Sequence, residues 1–292
     1  MKNHFKKYTI GIREKNGSFK YFKPPFYEFW ADPFIVEENG KVYLFFEVLN
    51  YFTNKGHISY AKYNPISKKI SKVQIILKEK HHLSYPQVFK YKNTYYLIPE
   101  TMLTNTVSLY EFSKFPTKVE FKKNLLENVL NVDSTLFIKD GVFYLFTNPR
   151  SDMSQKQAEE LDIYYSKSLH EEFTKIKNTS IEKNDVANAR MAGNILILNE
   201  KLFRVSQNCE KIYGEHMSLN EINVISKDEY VEVFNGKFEL GIKNPHHTYN
   251  SSENFEVIDV VKYTSLVFVL FTLFYRLPIM TVKKVIKIIF KR

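Results

Sequence analysis

Across residues 1 to 261, hydrophobic positions recur in short runs rich in aromatic and β-branched side chains, broken every few residues by Gly, Asn or Asp. Almost no helical periodicity interrupts them. Runs of this length between turn residues predict antiparallel strands and an all-β fold. The pattern changes after residue 261. Residues 265–275, SLVFVLFTLFY, carry no charge, and Arg276 and Pro278 follow before TVKKVIKIIFKR. In that last stretch Val282, Val285, Ile286 and Ile289 recur at helical spacing, with Lys283, Lys284, Lys287 and Lys291 on the opposite side. It predicts a basic amphipathic helix lying on a membrane surface; a helix packed on the body or on a partner is the alternative.

The runs also repeat on a longer scale. A sixteen-residue pattern appears without gaps as DPFIVEENGKVYLFFE from Asp32, YPQVFKYKNTYYLIPE from Tyr85, DSTLFIKDGVFYLFTN from Asp133 and AGNILILNEKLFRVSQ from Ala192. Each copy enters a hydrophobic strand, turns at Gly40, Asn93, Gly141 or Glu200, and returns through Tyr43, Tyr96, Tyr144 or Phe203. That is a β-hairpin with its turn at a fixed place. A weaker fifth copy begins at His246, with Asn254 at the turn. The spacing of roughly fifty residues leaves room for a second strand pair after each hairpin, as in a propeller blade. The expected fold is a five-bladed β-propeller over residues 1–261, closed with help from the N-terminal strands around YTIGI and FKYFK, with a membrane-associating tail over 262–292. Unrelated hairpins in a β-sandwich would not share three equivalent positions.

Charge sharpens the picture. The net charge is +10, but Lys262 to Arg292 hold seven basic residues and no acidic one, so the body is nearly neutral. A nucleic-acid partner is not expected, because its phosphates require basic side chains spread over a folded face. Cys209 is the single cysteine, which excludes an internal disulfide and a CxxC site. No apolar run follows the charges of MKNHFKKYTIGIREKNG, so a cleaved leader is not expected. The sequons at Asn178 and Asn250 then read as chance matches. Together with the tail these features predict a peripheral protein on the cytoplasmic face of the membrane.

In a propeller the first strand of each blade lines the axis, so Asp32, Tyr85, Asp133, Ala192 and His246 should converge at one end. Arg190 precedes Ala192 by two residues. Charges on innermost strands are costly unless paired, which makes Asp32 and Asp133 candidates for chemistry, with strand capping as the alternative. Glu47, Glu100 and Gln207 share the last repeat position and could form a second polar ring or bond between blades. Trp30 is a candidate for stacking on a sugar ring. Adjacent strand residues point to opposite faces, so only one of His246 and His247, and one of His81 and His82, could face the axis. No metal and no cofactor is expected, and DxD, GxGxxG and Walker patterns are absent.

WADPF at Trp30–Phe34, LSYPQVF at Leu83–Phe89, YLIPET at Tyr96–Thr101, VDSTLF at Val132–Phe137, ARMAG at Ala189–Gly193, and RVSQNC with Tyr213-Gly214 together resemble the propeller domain that forms the N-terminal part of plant glucosamine inositolphosphorylceramide transferases and its free-standing bacterial relatives. The resemblance spans roughly Trp30 to Val261. More distantly the chain is similar to family 43 glycoside hydrolases. That second likeness implies a general base at Asp32 and an acid at Asp133 that tunes it. It also implies a Glu near the start of the fourth blade, where this chain has Ala192 and Gly193. Glu100, Glu210 or Glu215 could replace it. Arg190 adds a positive charge suited to the diphosphate of a nucleotide sugar. The expectation is a membrane-associated glycosyltransferase using an activated donor in surface-polysaccharide or glycolipid synthesis, with Asp32, Asp133 and Arg190 catalytic and Trp30, Tyr85, Glu100, Gln207, His246 and His247 binding substrate. A family 43-like hydrolase and a non-catalytic carbohydrate-binding propeller are the alternatives.

Overall fold

The computed structural model describes residues 6–152, 160–181 and 184–263. The predicted tail beyond Tyr263 lies outside them. Strands β1 (Lys6–Glu14) and β2 (Lys20–Tyr21) come first in the chain. Blade 1 follows as β3 (Glu28–Glu38), β4 (Lys41–Asn50), β5 (Lys55–Asn64) and β6 (Lys69–Ile70), with β7 (Gln74–Leu77) also on β5. Blade 2 is β8 (Ser84–Tyr91), β9 (Thr94–Glu100), β10 (Thr106–Lys114) and β11 (Lys118–Glu127). Blade 3 is β12 (Asn131–Lys139), β13 (Val142–Pro149), β14 (Asp162–Ser166) and β15 (Thr174–Lys175). The short β16 (Asn178–Thr179) runs parallel to the outer strand of blade 4, which is built from β17 (Leu196–Leu198), β18 (Lys201–Asn208), β19 (His216–Ile225) and β20 (Glu229–Lys237). Blade 5 joins the two ends of the chain: β21 (Tyr249–Ser251) and β22 (Phe255–Tyr263) pair onward to β1 and β2. The fold is the five-bladed propeller that the repeats predict.

Register bears the repeat out residue by residue. Val36 pairs with Tyr43, Phe89 with Tyr96, Phe137 with Tyr144, Leu196 with Phe203, and Asn250 with Val257. The weak fifth copy therefore keeps the register of the other four. Positive φ at Asn39 and Gly40, and at Asp140 and Gly141, makes the tight turns that match strand twist.

Closure rests on β1, which pairs with β22 from Lys6↔Tyr263 to Glu14↔Phe255. Ile10 and Ile12 on β1 are fully buried and pack with Trp30, Phe46 and Val257, each contributing about 1.5–3 kcal/mol. Between blades the packing is largely aromatic: Phe45 meets Phe112 edge-on at 5.7 Å, and Phe146 meets Tyr230 at 5.6 Å. No helix among the described residues is long and apolar enough to cross a membrane.

Candidate active site

Asp32, Tyr85 and Asp133 occupy one repeat position, and each has a positive φ, of 50°, 43° and 50° respectively. At each of them the hairpin register shifts, between Ala31 and Phe34, Ser84 and Gln87, and Val132 and Thr135. These are bulges, which bend a strand and re-aim its side chains at the rim of a sheet. Non-glycine residues in this backbone region cost about 1–3 kcal/mol each and gather where the surrounding structure holds a functional geometry.

Carboxylates hold the bulges at Asp32 and Tyr85 in place. Asp259 Oδ2 accepts the Asp32 N–H at 3.0 Å, and Asp32 Oδ2 in turn accepts the Tyr85 N–H at 3.3 Å. The bonds thus pass from blade 5 to blade 1 to blade 2. Asp32 Oδ1 accepts the Thr248 hydroxyl at 2.7 Å, and His247 Nδ1 stands 3.4 Å from it. His247 Nδ1 lies 2.8 Å from Asp259 Oδ2, and Asp259 Oδ1 accepts the N–H groups of His247 and Thr248. Burial alone would lower the His247 pKa, but Asp259 and Asp32 outweigh it and raise it. Asp259 moves the opposite way: burial would raise its pKa, and His247 with the backbone bonds holds it low. Both shifts favour the charged forms, so the two groups act as an ion pair lodged behind Asp32.

The axial cavity in front of Asp32 has a volume of about 280 Å³. Asp32, Glu47, Glu100, Asp133, Arg190 and His247 supply its charged wall, and Tyr8, His82, Arg150 and Tyr213 complete its polar lining. Arg190 Nε donates to Asp133 Oδ2, and its guanidinium lies 4.8 Å over the Tyr213 ring. Burial pushes Asp32 up to about 6; His247 opposes this, while Asp259 and Asp133 add to it. Glu100 is pushed up to about 8 by burial and by Asp133, against Arg190 and Arg150. Near neutral pH Asp32 is mostly ionised and Glu100 mostly protonated. Burial, with Asp32 and Glu100 nearby, keeps Glu47 well above the usual carboxylate range.

Four buried polar atoms of this lining, Tyr8 Oη, Glu47 Oε1, Arg150 Nε and Arg190 Nη1, have no hydrogen-bond partner among the described residues. His82 Nε2 comes within 3.3 Å of Glu47 Oε1 without hydrogen-bond alignment. Unmade bonds of this kind are expensive in a closed core, and they suit a ligand with many hydroxyls.

Of the residues singled out from the sequence, Asp32, Glu47, His82, Glu100, Asp133, Arg190 and His247 stand together at this cavity, whereas Trp30, Tyr85, Gln207 and His246 do not line it. Simple alternation puts Trp30 on the same face as Asp32. The bulge breaks that alternation, so Trp30 packs on Phe46 and lines an outer groove instead. Tyr85 is fully buried below the cavity, where its hydroxyl accepts the Gly193 N–H at 2.7 Å and contacts Thr135 Oγ1 at 2.9 Å, tying blades 2, 3 and 4 together. Gln207 also lies deeper, donating to the Met191 carbonyl at 2.8 Å and reaching Asp133 at 3.4 Å. His246 turns its Nδ1 to the Asn244 carbonyl at 2.7 Å and does not line the cavity. Its neighbour His247 faces the axis.

Sequence reasoning missed Asp259, Tyr8 and Tyr213. A signal for Asp259 exists: Phe45, Ile98, Phe146 and Val205 hold the equivalent repeat position in the other blades, so an acid there is out of pattern. Asp32, His247 and Asp259 bring three ligand-type atoms within 4.8 Å of one another. Both Asp259 oxygens are already committed to hydrogen bonds, and a cation would have to displace them, so the trio reads as an ion-paired support for Asp32. At the fourth blade Gly193 has φ 136°, and a Cβ there would come within 1.9 Å of the Tyr249 carbonyl oxygen. Only glycine fits. A carboxylate at Gly193 is therefore excluded by packing, and the carboxyls whose pKa the cavity raises most are Glu47 and Glu100.

Comparison with known proteins agrees with this architecture. Among solved structures, an exo-β-1,3-galactanase from Clostridium thermocellum superposes with a TM-score of 0.59 at 13% identity, covering 74% of this chain and 53% of that one. A β-xylosidase/α-arabinofuranosidase of glycoside hydrolase family 43 from a compost metagenome gives 0.55 at 13% identity, covering 82% and 92%. At such identities the likeness is one of fold. Glucosamine inositolphosphorylceramide transferase 1 of Oryza sativa subsp. japonica is 34% identical over 206 residues, which is 70% of this chain and 28% of the relative. The Arabidopsis thaliana protein of the same name is 32% identical over 206 residues, covering 70% and 27%. The chain thus spans about 28% of the length of a relative named as a transferase. Residues 23–269 match the model of the glucosamine inositolphosphorylceramide transferase 1 N-terminal domain, and the chain belongs to that family.

Proposed function

We propose that the axial cavity binds one sugar residue of an activated donor and transfers the glycosyl group to an acceptor hydroxyl, in the synthesis of a surface polysaccharide or glycolipid. The observation that carries this reading is the pairing of Asp32, pushed up to about 6, with Glu100, pushed up to about 8, in one small cavity. Asp32 takes the proton of the acceptor hydroxyl, and Glu100 supplies one to the departing oxygen. Tyr8, Arg150 and Arg190 offer their unmet hydrogen bonds to the sugar hydroxyls. The His247–Asp259 pair holds Asp32 in place. The names of the plant relatives support transfer as the outcome.

The cavity size shapes the donor requirement. Its volume of about 280 Å³ lies below the roughly 300–1,000 Å³ of pockets that enclose drug-sized ligands, which suits a sugar ring and leaves no room for a whole nucleotide sugar. Asp133 already neutralises Arg190, so a diphosphate would stay at the mouth, with Arg150 as the other arginine of the lining. We further infer that residues 262–292 hold the protein to the inner face of a membrane, on the strength of their basic and apolar pattern.

Hydrolysis is the second reading, with water as the acceptor; the two carboxyl groups of opposite protonation and the family 43 fold favour it. The deciding experiment supplies the purified protein with nucleotide sugars and with aryl glycosides, each with and without an acceptor alcohol. Acceptor-dependent nucleotide release, lost in Asp32→Asn, supports transfer. Aglycone release to water alone would replace it with hydrolysis. Stabilisation by a sugar without turnover of either substrate would leave a binding module.

A further inference from the structure

Strands β3 and β4 form a wall with two faces in use. Phe29, Ala31, Glu47 and Leu49 line the axial cavity, and the alternate residues Glu28, Trp30, Val48 and Asn50 line a larger groove of about 1,120 Å³ behind it. The Phe22–Tyr27 segment, His57 and Ser59 of β5, and residues between 70 and 78 complete the groove. We propose that this groove binds the phosphate and the first acyl carbons of an anionic phospholipid-type ligand, as a second site distinct from the sugar cavity.

Its charge is one-sided. Lys23, Lys72 and Lys78 are exposed along it, and none of them forms a salt bridge among the described residues. The single acid of the lining, Glu28, is engaged by the Trp30 indole N–H at 3.2 Å. Burial, with Lys78 close by, lowers the pKa of His57, so that imidazole is neutral. Three lysines against one carboxylate leave the groove net positive, and a phosphate is the complementary group.

Beneath the lysines the groove is apolar. Trp30, Val48, Ile70 and Val73 line it, while Phe26 and Ile75 stay 57% and 53% exposed beside them. Exposed aliphatic and aromatic surface rimmed by lysine suits an amphiphile better than an acidic peptide, which would leave that surface unmatched. Inside, the fully buried Ser59 hydroxyl has no hydrogen-bond partner among the described residues and can accept or donate to a headgroup oxygen.

Trp30 is the only tryptophan of the chain and lines this groove, so its fluorescence reports there. The test titrates the full chain with dioctanoyl phosphatidylglycerol as a dissolved monomer, alongside dioctanoyl phosphatidylcholine, glycerophosphoglycerol and inorganic phosphate. The expected result is a saturable change of Trp30 emission with the anionic lipid. Its affinity should fall at least about tenfold in Lys23→Glu/Lys72→Glu/Lys78→Glu, a variant of exposed residues whose folding is checked by its melting curve. Absence of a saturable change would overturn the proposal, as would an unaltered affinity in the triple variant. Equal binding of phosphatidylcholine would reduce the groove to an apolar cleft, and equal binding of phosphate or of the headgroup would reduce it to an anion site; either outcome overturns the lipid assignment. The site does not depend on chemistry in the axial cavity: Asp32→Asn should leave the titration unchanged, so its failure and that of the glycosyl-transfer reading are separable.

Discussion

Asp32 and Glu100 are the same kind of group, which the proposed transfer uses as opposite reagents because their surroundings differ. Asp32 sits beside the His247 imidazolium, which opposes its burial, whereas Glu100 faces Asp133. Turnover should follow a bell in pH with limbs near 6 and 8, and Glu100→Gln should remove the alkaline limb; a profile that keeps both limbs would displace Glu100 from the acid role. Asp32→Asn should cut turnover by about 10²–10⁴-fold while the melting temperature stays within a few degrees of wild type. Gly193→Ala adds a Cβ against the Tyr249 carbonyl oxygen at φ 136°, and should lower the urea midpoint by the equivalent of about 3 kcal/mol or more. Some of the site was legible at this scale because a charge at a repeat position on an inner strand needs a reason, as at Asp32 and Asp133. Tyr8 and Tyr213 carry no such mark, since one aromatic among 45 Tyr and Phe residues looks like core until its neighbours are known.

Strands and turns were the most legible feature of the chain, and the bulges the least. The fixed offset between turn and aromatic residue specified the pairing of four hairpins, and Val257 keeps that place in the fifth, but nothing in the spacing of Trp30 and Asp32 signals the shift that sends their side chains to different cavities. The loop leading into blade 4 shows how an element is held for function. Fully buried Arg204 donates twice to Glu232, at 2.8 and 2.5 Å, and to the Asn188 and Ala189 carbonyls at 2.7 and 3.2 Å, next to Arg190. Arg204→Met leaves the Glu232 carboxylate buried and unpaired, and should destabilise by about 3–5 kcal/mol in denaturant unfolding. Pairing it with Glu232→Leu should recover part of that loss, whereas purely additive losses would mean that the two side chains act independently.

For the molecule as a whole, the cavity charges link stability to pH. Asp32 and Glu100 have folded-state pKa values raised above their ordinary ones, so their contribution is complete below about pH 4 and is lost as pH rises through about 6 and about 8. His247, also raised, acts in the same sense, while the lowered Asp259 contributes above its ordinary value and is lost in acid. The melting temperature should therefore fall between pH 5.5 and 9, and fall less in Glu100→Gln; a flat curve in the wild type would contradict the raised carboxyl values. Closure of the ring has a further consequence. The β1 strand starts at the cavity, where Tyr8 lines the wall, and ends at Glu14, away from it. Because β22 runs antiparallel to it and finishes at Tyr263 opposite Lys6, the polypeptide leaves the propeller on the side where the sugar cavity lies. A membrane that captured residues 264–292, as proposed above, would thus meet the end of the propeller that carries the cavity first, turning a search through solution into one along a plane.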